Sequence, residues 1–376
     1  MLCRNRKIMS EPSVIDWMAL SFVPGLGSKG IAQLVAHYGS PEEIFTACAS
    51  GKKQVDFVRK NVLTGLSNPA PFYEQARAQF KRMVAGGAEV VCPDDTKYPG
   101  ALKEIADPPA VLYVQGHVEL LRSLCLAMVG SRAATSYGKR CSFTLARDLA
   151  ETGVTVVSGL ASGIDSEAHK GALSVQGATI GVLGCGLDVV YPKHNNGLYE
   201  RIRTDGLLVT EYPLGTKPDA FRFPARNRII SGLSSGVVVV EAARKSGSLI
   251  TAEMALDEGR DVFAVPGQID SLKSDGTHWL LQQGAKLVQS AEDVRVEIET
   301  GWHGLGHKKN AEEDFLLEID PAARKLLEEI DVYPSARNEL IVASGLGSAK
   351  VTELLLILEL EGLVEILAGD EIRRVK

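Results

Sequence analysis

From residue 110 to residue 290 the chain alternates short β-branched runs with amphipathic stretches, and few architectures accept that pattern. Strand-like runs fall at 125–129, 154–158, 179–183, 207–210, 237–241 and 261–265, with further candidates at 110–114 and 285–288. They are short and continuous, as in strands covered on both faces. Between them lie helix-like stretches at 139–151, 166–175, 198–203, 248–259 and 277–283. Strands alternating with helices predict an α/β, Rossmann-like domain: a doubly wound, mostly parallel sheet with right-handed crossovers. Ligands of such sheets sit outside the carboxyl ends of the strands, near the topological switch point.

A chain of 376 residues exceeds what one hydrophobic core usually holds. Residues 10–85 read as helical, 90–295 as the Rossmann-like domain, 296–317 as a Gly- and charge-rich linker, and 318–376 as a small helical unit ending in a strand pair. A net charge of −6 argues against a surface coated in cations for duplex binding, but it leaves room for a local basic groove. No apolar run approaches the ~18–20 residues that cross a bilayer, so no membrane association is expected. The basic start, MLCRNRKIMS, has no apolar segment behind it and does not read as a signal. Six cysteines are scattered without CxxC spacing, which points to buried, reduced thiols in a cytoplasmic protein.

The loops after the strands carry the chemistry. One holds Gly130, Ser131 and Arg132; a second runs from Ser158 and Gly159 to Gly163; a third leads to Tyr191-Pro192-Lys193-His194-Asn195; a fourth holds Gly247, Ser248 and Thr251. Gly admits close backbone approach, helix N-terminal amides face an anion, and hydroxyls with Arg or Lys complete a phosphate cradle. One Gly/Ser loop is only what βα connections use. Four on one sheet edge favour a ligand site.

A further cluster, Phe221-Arg222-Phe223-Pro224-Ala225-Arg226-Asn227-Arg228, interleaves cations with aromatics, which suits phosphates and unstacked bases. It also reads as a helix start opened by Pro224, with Phe221 and Phe223 in the core. Arg226 and Arg228 cannot share a helix face, so one is expected to meet an internal carboxylate such as Glu211 or Glu241.

Several absences narrow the function. There is no Walker motif, and GSRAATSYG stands where a dehydrogenase would carry GxGxxG, so neither a nucleotide nor another cofactor is expected. A literal GxGxxG at Gly25–Gly30 follows a helical stretch instead of a strand. It reads equally as a DNA-binding helix-hairpin-helix turn or a plain helical hairpin. Asp165 and His169 sit at i,i+4, but Asp165 suits a helix N-cap better than a catalytic pair. His303 and His307 lack partner ligands for a metal. No metal and no catalytic residue is expected.

Taken together, GSRAATSYG, SGLASGIDSEAHKGAL, VLGCGLDVVYPKHN, FPARNRIISGLSSGVVVVEA, SGSLITAEMALDEGRDVFAVPG and GAKLV resemble the DNA-processing protein A (DprA/Smf) family over residues 90–290. The resemblance implies a sterile-alpha-motif-like helical domain before the Rossmann-like core and a winged-helix-like domain after it. It implies a non-enzymatic, dimeric single-stranded DNA-binding protein that protects incoming DNA during natural transformation and loads the RecA recombinase. Its DNA pocket would use Gly130, Ser131, Arg132, Ser158, Gly159, Gly163, Lys193, Asn195, Arg226, Asn227, Arg228, Gly247, Ser248 and Thr251. Two departures stand out. Ser162 replaces a basic residue of the family's SGxARGID pattern, and the segment Gly276–Leu281 differs from the common GCNxLI.

At the C-terminus, helices over 322–330, 337–343 and 348–360 precede wing strands over 363–367 and 371–375. The third helix offers Lys350 against Glu353, Glu359 and Glu361, unlike a major-groove reader, so this unit reads as a protein-interaction or packing module. The alternative from another class is a Rossmann-like nucleoside-monophosphate phosphoribohydrolase. Glu253 follows a phosphate-type loop here, but the PGGxGTxxE core of that family is absent.

Overall fold

The computed structural model of the chain describes residues 10–50, 58–304, 321–330, 335–360, 363–367 and 370–374. Residues up to Glu299 form one compact unit and those from Thr300 a second.

The first unit begins with helices α1 (Glu11–Ser21), α2 (Ser28–Tyr38), α3 (Pro41–Ala49), α4 (Lys60–Ser67) and α5 (Ala70–Ala85). α1 and α2 form the expected hairpin, with Gly25 in the left-handed region at φ 81°. Buried Met18, Leu34, Ile44 and Leu66 belong to the same apolar cluster as Leu160, Leu187, Ile202 and Leu208, so the helical region shares a core with the sheet.

The sheet comprises β1 (Glu89–Val91), β2 (Leu112–Gly116), β3 (Cys125–Val129), β4 (Thr155–Ser158), β5 (Thr179–Val182), β6 (Leu207–Thr210), β7 (Gly236–Val239), β8 (Asp261–Ala264) and β9 (Lys286–Leu287). Their order is β1-β2-β6-β5-β4-β3-β7-β8-β9. From β6 to β9 all neighbours run parallel, whereas β1 and β2 form an antiparallel edge. Every residue of β3 to β7 is buried, which is why these runs read as continuous rather than alternating.

The helices that follow are α6 (Gly100–Lys103), α7 (Ser136–Glu151), α8 (Ile164–Ser174), α9 (Asn196–Asp205), α10 (Arg222–Leu233), α11 (Gly247–Asp257), α12 (Asp275–Gln282) and α13 (Ala291–Gly304). The FPARNR segment is thus helical. Pro224 sits in the first turn of α10, where its missing N–H costs nothing. Phe221 is 65% exposed instead of buried in the core. Asp165 is not the N-cap of α8; Gly163 takes that position at φ 81°, and Asp165 lies inside the first turn. α13 extends through 296–304, read from sequence as the start of a linker, because Val294 and Ile298 still pack on the sheet's core. The remainder of that linker, with His307, lies outside the described residues.

The second unit contains α14 (Pro321–Glu328), β10 (Ser335–Ala336), α15 (Arg337–Ser344), α16 (Ser348–Leu360), β11 (Val364–Leu367) and β12 (Glu371–Arg374). The strands pair in the order β10-β12-β11, the arrangement of a winged helix. Leu326, Leu340, Leu354, Leu358 and Ile372 form its core. Three of its described cations meet carboxylates: Lys350 with Glu353 at 2.9 Å, Arg337 with Asp370 at 3.0 Å and Arg373 with Glu365 at 2.6 Å.

Candidate nucleic-acid interface

After β3 the chain lays β4, β5 and β6 to one side; β7 then returns to the other side of β3. The loops leaving β3 and β7 therefore diverge, and a crevice opens between them. Glu241, just beyond β7, braces both loops. Its carbonyl accepts the Ser131 amide at 2.8 Å, and its carboxylate accepts the Thr135 amide at 2.9 Å and the Thr135 hydroxyl. Thr135 in turn caps α7 by accepting the Gly138 amide at 3.1 Å. A Cβ at Gly138 would stand 2.3 Å from the Glu241 carboxyl carbon. Much of GSRAATSYG is thus explained by the brace that shapes the Ser131–Arg132 turn.

The crevice holds about 670 Å³, and Gly130, Ser131, Arg132, Arg226, Asn227, Gly247, Ser248 and Thr251 all line it. The loop after β3, the connection from β7 into α11, and α10 bring them together. The exposed Arg132 guanidinium lies 5.2 Å from the Phe223 ring centroid, and Tyr191 stacks on the same ring at 5.4 Å and 29°. α11 begins at Gly247, and Gly247 and Ser248 of its first turn, where helix amides precede the regular hydrogen-bond ladder, line the crevice as well.

Arg226 lines the crevice but is only 4% exposed. Its Nη1 donates to the Gly159 carbonyl at 2.8 Å and to the Val182 carbonyl, and its Nε to Asn227 Oδ1 at 3.2 Å. Burial pushes its pKa down to about 10, with Arg132 adding to that and Asp165 opposing it. Asp165 is buried too, and burial pushes its carboxyl up against the pull of Arg226. Arg226 is therefore a fixed charge in the floor, whereas Arg132 is a movable one at the mouth.

The crevice also contains a cation the motifs did not flag. Lys273, from the loop after β8, lines it; its Nζ donates to Ser131 Oγ at 3.3 Å and to the Ala133 carbonyl. That loop carries Gly267 and leaves a strand end like the others, so the signal was available.

The other expected site residues lie outside the crevice lining. Ser158 is fully buried and its hydroxyl donates to the Met128 carbonyl at 2.6 Å. Gly159 makes room for Arg226; a Cβ there would be 2.4 Å from its guanidinium. Gly163 seats α8 under the Ser131–Arg132 turn. Asn195 is buried and donates to the Leu160 carbonyl at 3.0 Å and Ser166 Oγ at 2.9 Å. Lys193 is exposed on the neighbouring short turn. Arg228 turns away to Asp107 at 3.1 Å and Glu211 at 2.5 Å, meeting the carboxylate expected of one of the two arginines. Ser162, where the family pattern has a cation, pairs with His194 Nε2 at 3.0 Å. His169, instead of partnering Asp165, places Nδ1 2.7 Å from Thr179 Oγ1.

The family model for DNA recombination-mediator protein A matches residues 89–299, more than half of the chain, and that of the DprA winged helix domain matches 310–370. The chain belongs to the DprA/Smf family. It is 33% identical over 396 residues to Protein Smf of Synechocystis, covering 95% of this chain and 97% of that protein. It is 49% identical over 213 residues to Protein Smf of Escherichia coli, covering 56% of this chain and 57% of that one. Among solved structures, DprA from Streptococcus pneumoniae superposes with a TM-score of 0.61 at 38% identity, over 77% of this chain and 99% of its own. The single-stranded DNA-binding DNA processing protein A of Helicobacter pylori gives 0.52 at 34% identity, over 58% of this chain and 96% of its own. Membership of the DprA/Smf family assigns the chain to DNA processing.

Proposed function

We propose that the switch-point crevice binds single-stranded DNA, and that the chain acts in recombination by holding the strand, not by chemically altering it. One observation carries this reading. Arg132, Lys273 and the α11 first turn face the same crevice as the stacked Tyr191–Phe223 pair. Cations and amides suit phosphates, and aromatic faces suit bases that a duplex keeps stacked away. In this reading Gly130, Ser131, Arg132, Asn227, Gly247, Ser248, Thr251 and Lys273 meet the strand, Arg226 supplies charge from the floor, and Lys193 meets the strand outside. Ser158, Gly159, Gly163, Asn195 and Arg228 hold the walls. Phosphate contacts carry no sequence information, so the central crevice discriminates little between sequences.

Family membership supports the finer parts of the proposal: a cytoplasmic homodimer that protects incoming DNA and passes it to the RecA recombinase. The winged-helix unit is proposed as a protein-interaction or packing module, since Arg337, Lys350 and Arg373 are engaged with its own carboxylates. Glu253 counts against phosphoribohydrolase chemistry, because it lines a neighbouring cavity rather than the crevice.

The test is fluorescence anisotropy of a labelled oligo-dT strand titrated with the full chain at several salt concentrations, against a duplex of equal length. Salt-sensitive binding that prefers the single strand is expected. No binding at low salt would sink the reading and direct the search to base release from nucleoside monophosphates.

A further inference from the structure

Beside the crevice, on the far side of the α11 N-terminus, lies a second cavity of about 480 Å³. Ser246, Gly247 and Ile250 line both, so the two are adjoining chambers of one groove. Its other walls bring together side chains of a different kind. Arg244 Cζ lies 4.8 Å from the Trp279 ring centroid. Exposed Lys245 and the exposed carboxylate of Glu253 complete the rim. Trp279 lies in α12, on the segment Gly276–Leu281, at the position that the GCNxLI pattern leaves open.

We propose that this chamber is a second nucleobase subsite, which takes the base of a nucleotide adjoining those in the crevice and favours guanine over thymine. The proposal rests on the single-stranded DNA reading above. An indole with a guanidinium laid over it makes a flat cationic surface, and bases stack on both aromatic and Arg planes. Lys245 at the rim suits the phosphate that joins the two nucleotides. Glu253 gives the chamber its preference. An ionised carboxylate only accepts hydrogen bonds. Guanine offers its N1–H and N2 amine side by side, a match for two carboxylate oxygens. Thymine offers one N–H flanked by two carbonyl oxygens, which a carboxylate repels. A phosphate alone would avoid Glu253, so the chamber suits a base better than a second anion.

The experiment is an anisotropy titration of the full chain with an oligo-dT strand and a series carrying one guanine at each successive position. One position is expected to bind about tenfold tighter than the parent strand, within the range for one bidentate base contact. Glu253→Gln should remove that gain, read as the ratio to oligo-dT on the same variant. Arg244→Ala should weaken the guanine strand about tenfold, the loss of one stacked base. Both residues are exposed, and an unchanged melting temperature confirms that each variant folds. A flat guanine scan with normal oligo-dT binding overturns the subsite and leaves the DNA reading intact. A gain that survives Glu253→Gln also overturns it. Failure of oligo-dT itself to bind removes both.

Discussion

Two glycines of the strand-end loops, Gly163 and Gly247, should respond oppositely to the same added methyl group. Gly163 has φ 81° and ψ −124°, a conformation costing a non-glycine residue ~1–3 kcal/mol. A Cβ there would also stand 2.3 Å from the Ser131 carbonyl oxygen and 2.6 Å from that of Arg132. These are backbone atoms that cannot swing aside, so overpacking adds a further ~1–3 kcal/mol. Gly163→Ala is expected to cost about 4 kcal/mol in all and to displace the Ser131–Arg132 turn. At ~2 °C per kcal/mol for a unit of this size, the melting temperature falls by about 8 °C, and oligo-dT affinity falls with it. At Gly247 a Cβ meets nothing within 4 Å, and the residue opens α11. Gly247→Ala should leave stability unchanged or raise it by ~0.4–1 kcal/mol. Its methyl nevertheless stands where a phosphate must approach the first-turn amides, so affinity should drop about tenfold, ~1.4 kcal/mol. Differential scanning fluorimetry and anisotropy on both variants decide the matter. A wild-type melting temperature for Gly163→Ala refutes the steric argument. Full affinity for Gly247→Ala refutes the place given to α11.

Arg228→Met should destabilise the first unit by ~3 kcal/mol in denaturant titration, because it strands the buried Glu211 carboxylate, already pushed up by burial. Adding Glu211→Met should recover most of that loss. His169 is fully buried and burial pushes its pKa down to about 3, below the ~6.5 of an unfolded histidine. Between these values the unfolded chain binds a proton that the folded chain refuses. The His169 contribution to stability is therefore complete above pH ~6.5 and is lost as pH falls toward 3, at up to ~1.4 kcal/mol per unit. Melting temperatures followed from pH 7 to pH 4 should fall more steeply for the wild type than for His169→Gln.

Parts of this molecule are open to a reader of the sequence because burial on both faces leaves a plain trace. The continuous Val- and Ile-rich runs became β3 to β8 within a residue or two, and 248–259 became α11 at Gly247–Asp257. The antiparallel edge was harder, since β1 has three residues and its pairing with β2 depends on contacts distant in sequence. At the site, the Gly/Ser loops mark the correct sheet edge, but residue type does not say where a side chain spends its hydrogen bonds. Ser131 and Ser158 look alike in sequence; one lines the crevice and the other is spent on Met128. Arg226 and Arg228 separate because two steps along α10 turn a side chain by about 200°, so one lies over the strand ends and the other reaches Asp107 and Glu211. Lys273 stands six residues beyond Gly267 in its loop, and only the fold brings it back to Ser131.

The central claim is that the cations of the crevice neutralise phosphates of an open strand. Its most direct test is the salt dependence of oligo-dT affinity for the wild type, Arg132→Ala and Lys273→Ala. Each phosphate contact on a single strand contributes ~0.7 to the slope of log affinity against log salt. Each variant should bind more weakly and lose about 0.7 of that slope while its melting temperature holds. Weaker binding with an unchanged slope, or unchanged binding in both variants, would contradict the account.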